Sequence, residues 1–201
     1  MRFTALLTLS LTVAIPIAAQ TAAGTPTPTP TPSPTPNGYV RPSGPERAKR
    51  YAKSMFGAEA LGRKAVSAGI GTWRNSPAEW GGQWEGFGKR FASEIGKSVI
   101  KNTTEYALDE ALSVDSHFYR SANRSSSARL KNALISPFTA RKPSGKRTIG
   151  IPRIMGTYTS SVLSREIWYP NRYTWKDGLR SGTVSFGVSA ASNLFREFVW
   201  K

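Results

Sequence analysis

The sequence predicts a mostly α fold: a compact helical domain of about four to five helices, preceded by an apolar leader and a disordered proline-rich linker. Three observations carry this. Apolar residues recur at helical spacing through residues 43–201, 39% of the chain is hydrophobic, and six of its fourteen prolines are confined to residues 25–36. A domain of about 160 residues buries roughly 70% of its unfolded surface, so one core suffices.

Residues 1–19 combine Arg2 with an apolar run from Phe3 to Ala19 that ends in small side chains. That is the pattern of a signal peptide, with cleavage expected after Ala19 or, as a second choice, Ala23. An uncleaved anchor is the competing reading, although the run is short for a membrane span. Residues 20–42 form the linker. Within it Thr25 to Pro36 alternates Thr or Ser with Pro, which excludes helix and sheet and favours an extended spacer of about 3.1 Å per residue.

The folded body is expected to start at Ser43. Ser43-Gly-Pro-Glu46 has the spacing of a capping box with proline in the first turn, so one helix is predicted from there to Ala68. Its apolar stripe would be Ala48, Tyr51, Ala52, Met55, Gly62 and Val66, opposite Arg47, Lys49, Arg50 and Lys53. A turn over 75–82 leads to the strongest helical pattern, Trp84, Phe87, Phe91, Ile95, Val99 and Tyr106, continuing to Leu112. Gly86, Gly88 and Gly96 interrupt it and require a packing reason, because each costs about 1 kcal/mol relative to Ala. Shorter helices are predicted over 126–138 and 151–167, with a loop over 141–147 between them and a break at Pro170. Over 174–200, Thr183 to Ala190 has strand alternation, but a column of small residues at three-to-four spacing favours helix. Its uncharged run, Ser181 to Phe195, is fifteen residues against the roughly twenty needed to cross a bilayer. A buried central helix is therefore expected there.

Composition removes several function classes. The chain has no cysteine and one histidine, which excludes thiolate metal sites, disulfides, cysteine nucleophiles and multi-histidine metal centres within one chain. No cofactor or metal is expected. Gly96-Lys97-Ser98 ends like a phosphate loop but lacks its first glycine, since position 91 is Phe91. Asp115-Ser-His117-Phe-Tyr-Arg120 is the densest polar cluster. In extended backbone Asp115 and His117 project to one side, the geometry of an oriented acid/base pair, but a lone histidine beside a carboxylate is more often structural. Glu105 and Asp109 share a helix face with Lys101 one turn earlier, and a solvated charged face is the expectation.

Charge is the dominant signal. There are 28 Lys and Arg against 12 acids, for a net charge of +16, and residues 116–165 hold ten Lys or Arg and no acid. The candidate ligand-binding residues are therefore His117, Arg120, Arg124, Arg129, Lys131, Arg141, Lys142, Lys146 and Arg147, with no catalytic assignment. Such a surface attracts polyanions. Trp168, Tyr169, Tyr173 and Trp175 follow, and such rings favour a wet apolar boundary when they are not core. Basic groups with interleaved aromatics also suit nucleic acid, but an exported chain meets anionic membrane surfaces and envelope polymers instead.

The order of Asp115 to Arg120, the basic stretch Ser126 to Leu134, Gly156-Thr-Tyr-Thr-Ser, Trp168-Tyr-Pro170 and Asn193-Leu-Phe-Arg-Glu-Phe198 resembles a family of exported bacterial proteins with no assigned activity. The resemblance covers roughly residues 80–198 and implies export and a mostly helical fold. Ser116-His117-Phe118 departs from the Pro-Arg pair usual in those relatives, so the resemblance lends no support to catalysis by His117. The expected function is non-enzymatic binding or organisation of an anionic envelope component, in the periplasm or at the outer membrane. The alternatives are a small envelope-polymer hydrolase using Asp115 and His117, and an integral membrane component using residues 181–195.

Overall fold

The structure, a computed structural model, describes residues 39–199; the expected leader and most of the expected linker lie outside them. Six helices run in order: α1 (Gly44–Phe56), α2 (Ala58–Trp73), α3 (Trp84–Ala111), α4 (Ser126–Ile135), α5 (Ile151–Ile167) and α6 (Trp175–Phe198). The described chain is mostly α, as predicted. One two-stranded antiparallel hairpin, β1 (Thr139–Arg141) with β2 (Arg147–Ile149), stands where a plain loop was expected, with residues 142–146, Lys142 and Lys146 among them, as its turn. Short 3-10 turns occupy Ala78–Trp80 and Ser136–Phe138.

The capping box forms: the Ser43 N–H and hydroxyl both donate to the Glu46 carboxylate, at 2.9 and 3.0 Å. The helix it starts is shorter than predicted. The chain breaks at Gly57, where a Cβ would stand 2.5 Å from the Lys53 carbonyl oxygen, and a new helix runs on through Gly69 and Gly71 to Trp73. The break resets the helical phase. Ala60, Lys64 and Ala68 become the buried row of α2, while Val66, expected inside, is exposed. Lys64 is tolerated in that row because its ammonium donates to the Met55 carbonyl at 2.9 Å.

Helices α3 and α5 form the central pair; α2 flanks α3, α6 flanks α5, α4 packs on α6, and α1 lies against α3 and α2. Small residues make the seams. At Gly156 a Cβ would approach the Lys101 carbonyl oxygen to 2.7 Å, and at Gly178 the Val162 Cα to 2.7 Å. Thr157, Ser160, Ser161 and Ser164 are buried in α5, with the Ser160 and Ser164 hydroxyls returned to carbonyls of their own helix. Gly96 has the packing reason its sequence demanded, since the Trp168 ring lies over it, and Gly86 lies against the backbone of the turn before α3; Gly88 faces open space.

Helix α6 is not the buried central helix that was expected. Gly178, Gly182, Phe186, Asn193 and Glu197 form its buried side, while Val184, Val188 and Phe195 face outward. An uncharged run indicated burial all round, but small residues let the helix dock along one narrow seam. No helix among the described residues is long and apolar enough to cross a membrane.

Candidate functional site

A groove of about 710 Å³ opens between α1–α2 on one side and α6 on the other, with α3 and the start of α5 as its floor. That volume lies within the range of ligand sites, roughly 300–1,000 Å³. Helix α3 supplies Lys101, Glu105 and Asp109, one per helical turn, so three side chains project along one line. The close approach of Gly156 brings α5 near enough for Arg153 to reach Glu105 at 3.4 Å and to donate to the Ser136 carbonyl at 3.0 Å. Arg196 of α6 meets Glu59 of α2 at 3.1 Å, an ion pair that joins the two walls. The lining holds seven Lys or Arg side chains against four acids.

Lys101 is the distinctive group on the floor. Among the described residues its ammonium has no hydrogen bond or ion pair, and Glu105 is its only stabilising charge of note. Burial pushes its pKa down, Glu105 opposes that shift, and Arg153 adds to it. Asp109 is perturbed the other way. Burial raises it to about 7, against two hydrogen bonds from the Ser116 hydroxyl (2.7 Å) and N–H (3.1 Å) that favour the carboxylate. The solvated face expected for Lys101, Glu105 and Asp109 is thus corrected: α3 is central in the array, and its charged row forms the floor of the groove.

Asp115 ends the groove, and the hairpin fixes it. Its backbone exchanges two 2.8 Å hydrogen bonds with Arg141 of β1. Its carboxylate accepts from the Tyr119 hydroxyl (2.6 Å), the His117 N–H (2.8 Å) and the Tyr39 hydroxyl (2.9 Å). Burial drives the acid up, but these donors together hold it below the ordinary carboxylate range. The same cluster raises Tyr119 to about 12, through burial first and Asp115 second. The pairing expected from the sequence is therefore different in kind: Asp115 binds the backbone of His117, while the imidazole rests edge-on to the Tyr119 ring at 5.4 Å. His117 retains exposed surface yet stands between the groove walls, and that desolvation lowers its pKa, opposed by Asp115.

The other candidate cations do not form one face. Arg141 and Arg147 meet His117 around a crevice of about 10 Å³, room for one water. There Arg141 lies 5.5 Å from the Tyr39 and Tyr119 rings, and Arg147 donates to the buried Asn132 side chain. Arg120 caps the Arg196 carbonyl at 2.5 Å, and Arg129 pairs with the buried Glu197 at 3.6 Å. These four cations brace the fold. Arg124, Lys131, Lys142 and Lys146 are exposed, the last two on the hairpin turn.

Sequence reasoning missed Arg47, Arg50, Lys53, Arg63 and Arg196 as one constellation, because they come from helices far apart in the chain. The available signal was the Lys101-Glu105-Asp109 row on the longest helix. Among the described residues no group of three or more His, Cys, Asp or Glu is placed to hold a metal ion. Comparison with protein-family models, with curated proteins and with solved structures finds no match, and nothing in that contradicts the resemblance to a family with no assigned activity.

Proposed function

We propose that this chain is an exported binding protein that holds an anionic component of the cell envelope, a membrane headgroup or a segment of envelope polymer, in the groove between α1–α2 and α6. The observation that carries this is Lys101: a half-buried ammonium on a groove floor, with no hydrogen bond or ion pair among the described residues. A half-buried, partly desolvated charge of this kind carries a cost that an opposite charge relieves. A phosphate or carboxylate seated between Lys101 and Arg153 supplies that charge, and the Arg196–Glu59 pair stands ready to exchange partners with it.

Binding has better support than hydrolysis at Asp115 and His117. All of the Asp115 hydrogen bonds go to groups that brace the loop, and a carboxylate held below its ordinary pKa is a poor proton acceptor. Export rests on Arg2 and the apolar run to Ala19, with the periplasm as the first location and outer-membrane association as the second. Nucleic acid is the disfavoured polyanion for the same reason.

The test is a calorimetric titration of the chain with glycerol 1-phosphate and with oligo-glucuronate, at low and high salt. The reading requires binding of one of them, weaker at high salt. It also requires a loss of about tenfold or more in Lys101→Met, equivalent to roughly 1.4 kcal/mol. Equal affinity in wild type and Lys101→Met would reject the groove as the site. Recovery of a tagged form in the cytosol with Met1 attached would reject the location.

A further inference from the structure

The chain's tryptophans are spread along its sequence but not through its structure. All five that fall among the described residues, Trp73, Trp80, Trp84, Trp168 and Trp175, gather at one end of the helical array. Two of them do the packing that makes this end. The Trp80 ring meets Tyr169 at 4.7 Å, and the Trp168 indole N–H donates to the Ser93 hydroxyl at 2.8 Å. With the Arg172–Glu79 ion pair at 2.8 Å, these contacts tie the 168–174 segment to the turn before α3.

The other three rings are left in solvent. Trp73 and Trp84 are each 86% exposed and Trp175 is 52% exposed, at the end of α2 and the starts of α3 and α6. Trp73 also completes a stripe on α2, with Val66 and Ile70 at helical spacing, 63% and 48% exposed. Leu179 follows Trp175 by one turn and is exposed as well. A large indole left in water at three separate helix ends is not core packing.

Charge at this end favours one kind of surface. Arg74, Lys176 and Arg180 are exposed, and Lys176 lies 5.8 Å from the Trp175 ring. Of the acids at this end, Glu79 is committed to Arg172, Glu85 to Lys89 at 2.6 Å and Asp177 to the Thr174 cap at 2.9 Å, which leaves exposed Glu166 against those three cations. Exposed indoles on an end that also carries exposed cations match the headgroup zone of an anionic bilayer, where such rings place an apolar body beside a polar N–H. Separate projecting rings suit a fluid interface, which closes around each, better than a rigid protein surface, which would need three matched pockets.

We propose that this end docks on an anionic lipid bilayer, with Trp73, Trp84 and Trp175 seated at the headgroup level. The surface is distinct from the groove, so either proposal can fail alone. The experiment is co-sedimentation of the full chain with vesicles of phosphatidylcholine alone or mixed with phosphatidylglycerol, beside quenching of tryptophan emission by brominated acyl chains. Binding is expected to be tighter on the mixed vesicles, with quenching by shallowly brominated lipid. The triple variant Trp73→Ser, Trp84→Ser, Trp175→Ser should bind about tenfold or more weakly, because membrane affinity follows buried apolar area. It should keep wild-type helicity by circular dichroism and wild-type groove binding of soluble anion. The parent comparison cancels any contribution of residues 1–19. The proposal is overturned by a folded triple variant that binds like the parent, or by self-association that buries the three rings without lipid.

Discussion

The groove and the tryptophan-rich end share α2, α3 and α6, yet they leave opposite kinds of group unfinished. In the groove the unfinished group is a cation: Lys101 lies among carboxylates and guanidiniums that are mostly paired with one another. At the other end the unfinished groups are apolar rings, with Glu79 and Glu85 held in ion pairs and Arg74, Lys176 and Arg180 exposed beside them. A paired charge holds a fold together, and an unpaired group invites a ligand. By that measure the cations at Arg120, Arg129 and Arg147, prominent in the sequence, belong to the fold, and Lys101 belongs to the site.

The sharpest break of this contrast falls on the polar cluster at the groove end. Asp115→Ala removes the acceptor for two tyrosine hydroxyls and one backbone N–H at once. The expected loss is about 3 kcal/mol, since one buried and two part-buried donors lose their partner, and thermal melting reads it. A loss well under half of that would mean the cluster is solvated and does not brace the hairpin. Lys101→Met should behave in the opposite sense. Removing a desolvated, unpaired ammonium leaves the melting temperature unchanged or raises it, while anion affinity falls about tenfold. A destabilised Lys101→Met would show that the ammonium has a structural partner.

Proton linkage gives a smaller and signed effect. Asp109 titrates at about 7 in the fold against 3.8 ordinarily, so between pH 4 and 7 the folded state holds a proton that the unfolded chain has released. Stability therefore falls as pH rises through that window, and Asp109→Asn flattens the slope. His117, with its pKa below 6.5, acts oppositely: below that pH the unfolded chain takes up the proton first and stability falls with acid. His117→Gln in the Asp109→Asn background separates the two. Protonation of Asp109 also raises the positive charge of the groove, so anion binding should tighten from pH 8 to pH 6 in wild type and lose that dependence in Asp109→Asn. The smallest effect is reserved for the other region. Trp73→Ser with Trp84→Ser should alter stability by no more than about 0.5 kcal/mol, since exposed rings contribute little to folding.

Much of the fold was legible in the sequence because its signals are local. The cap at Ser43, the helical spacing from Trp84 to Tyr106, the helix over 151–167 and the small-residue column of α6 each lie within a few turns of chain, although the buried side of α3 is Gly86, Arg90 and Ser93 and Trp84 is exposed. The break at Gly57 was not legible. Helical spacing continues across it, and only the approach of the Lys53 carbonyl shows that the turned chain leaves no room for a side chain at this position. Contact with Tyr39, whose hydroxyl reaches Asp115 across the domain, likewise extends the body ahead of the expected start at Ser43. The groove was illegible for a related reason. A run of cations is visible in a sequence, but a site assembled from α1, α2, α3, α5 and α6 is not, and the run at 116–165 was dispersed when the hairpin and α4 folded.

Amine acylation mapped by mass spectrometry tests the central claim most directly, because lysines of both kinds are read in one sample. The depressed pKa of Lys101 leaves more of it as reactive free amine, so it should label readily in the free protein. With glycerol 1-phosphate or oligo-glucuronate bound, the account predicts protection of Lys101 while labelling of Lys142 and Lys146 on the hairpin turn is unchanged. Protection of Lys142 and Lys146 with Lys101 still labelled would contradict it, and would return the anion site to the exposed basic run.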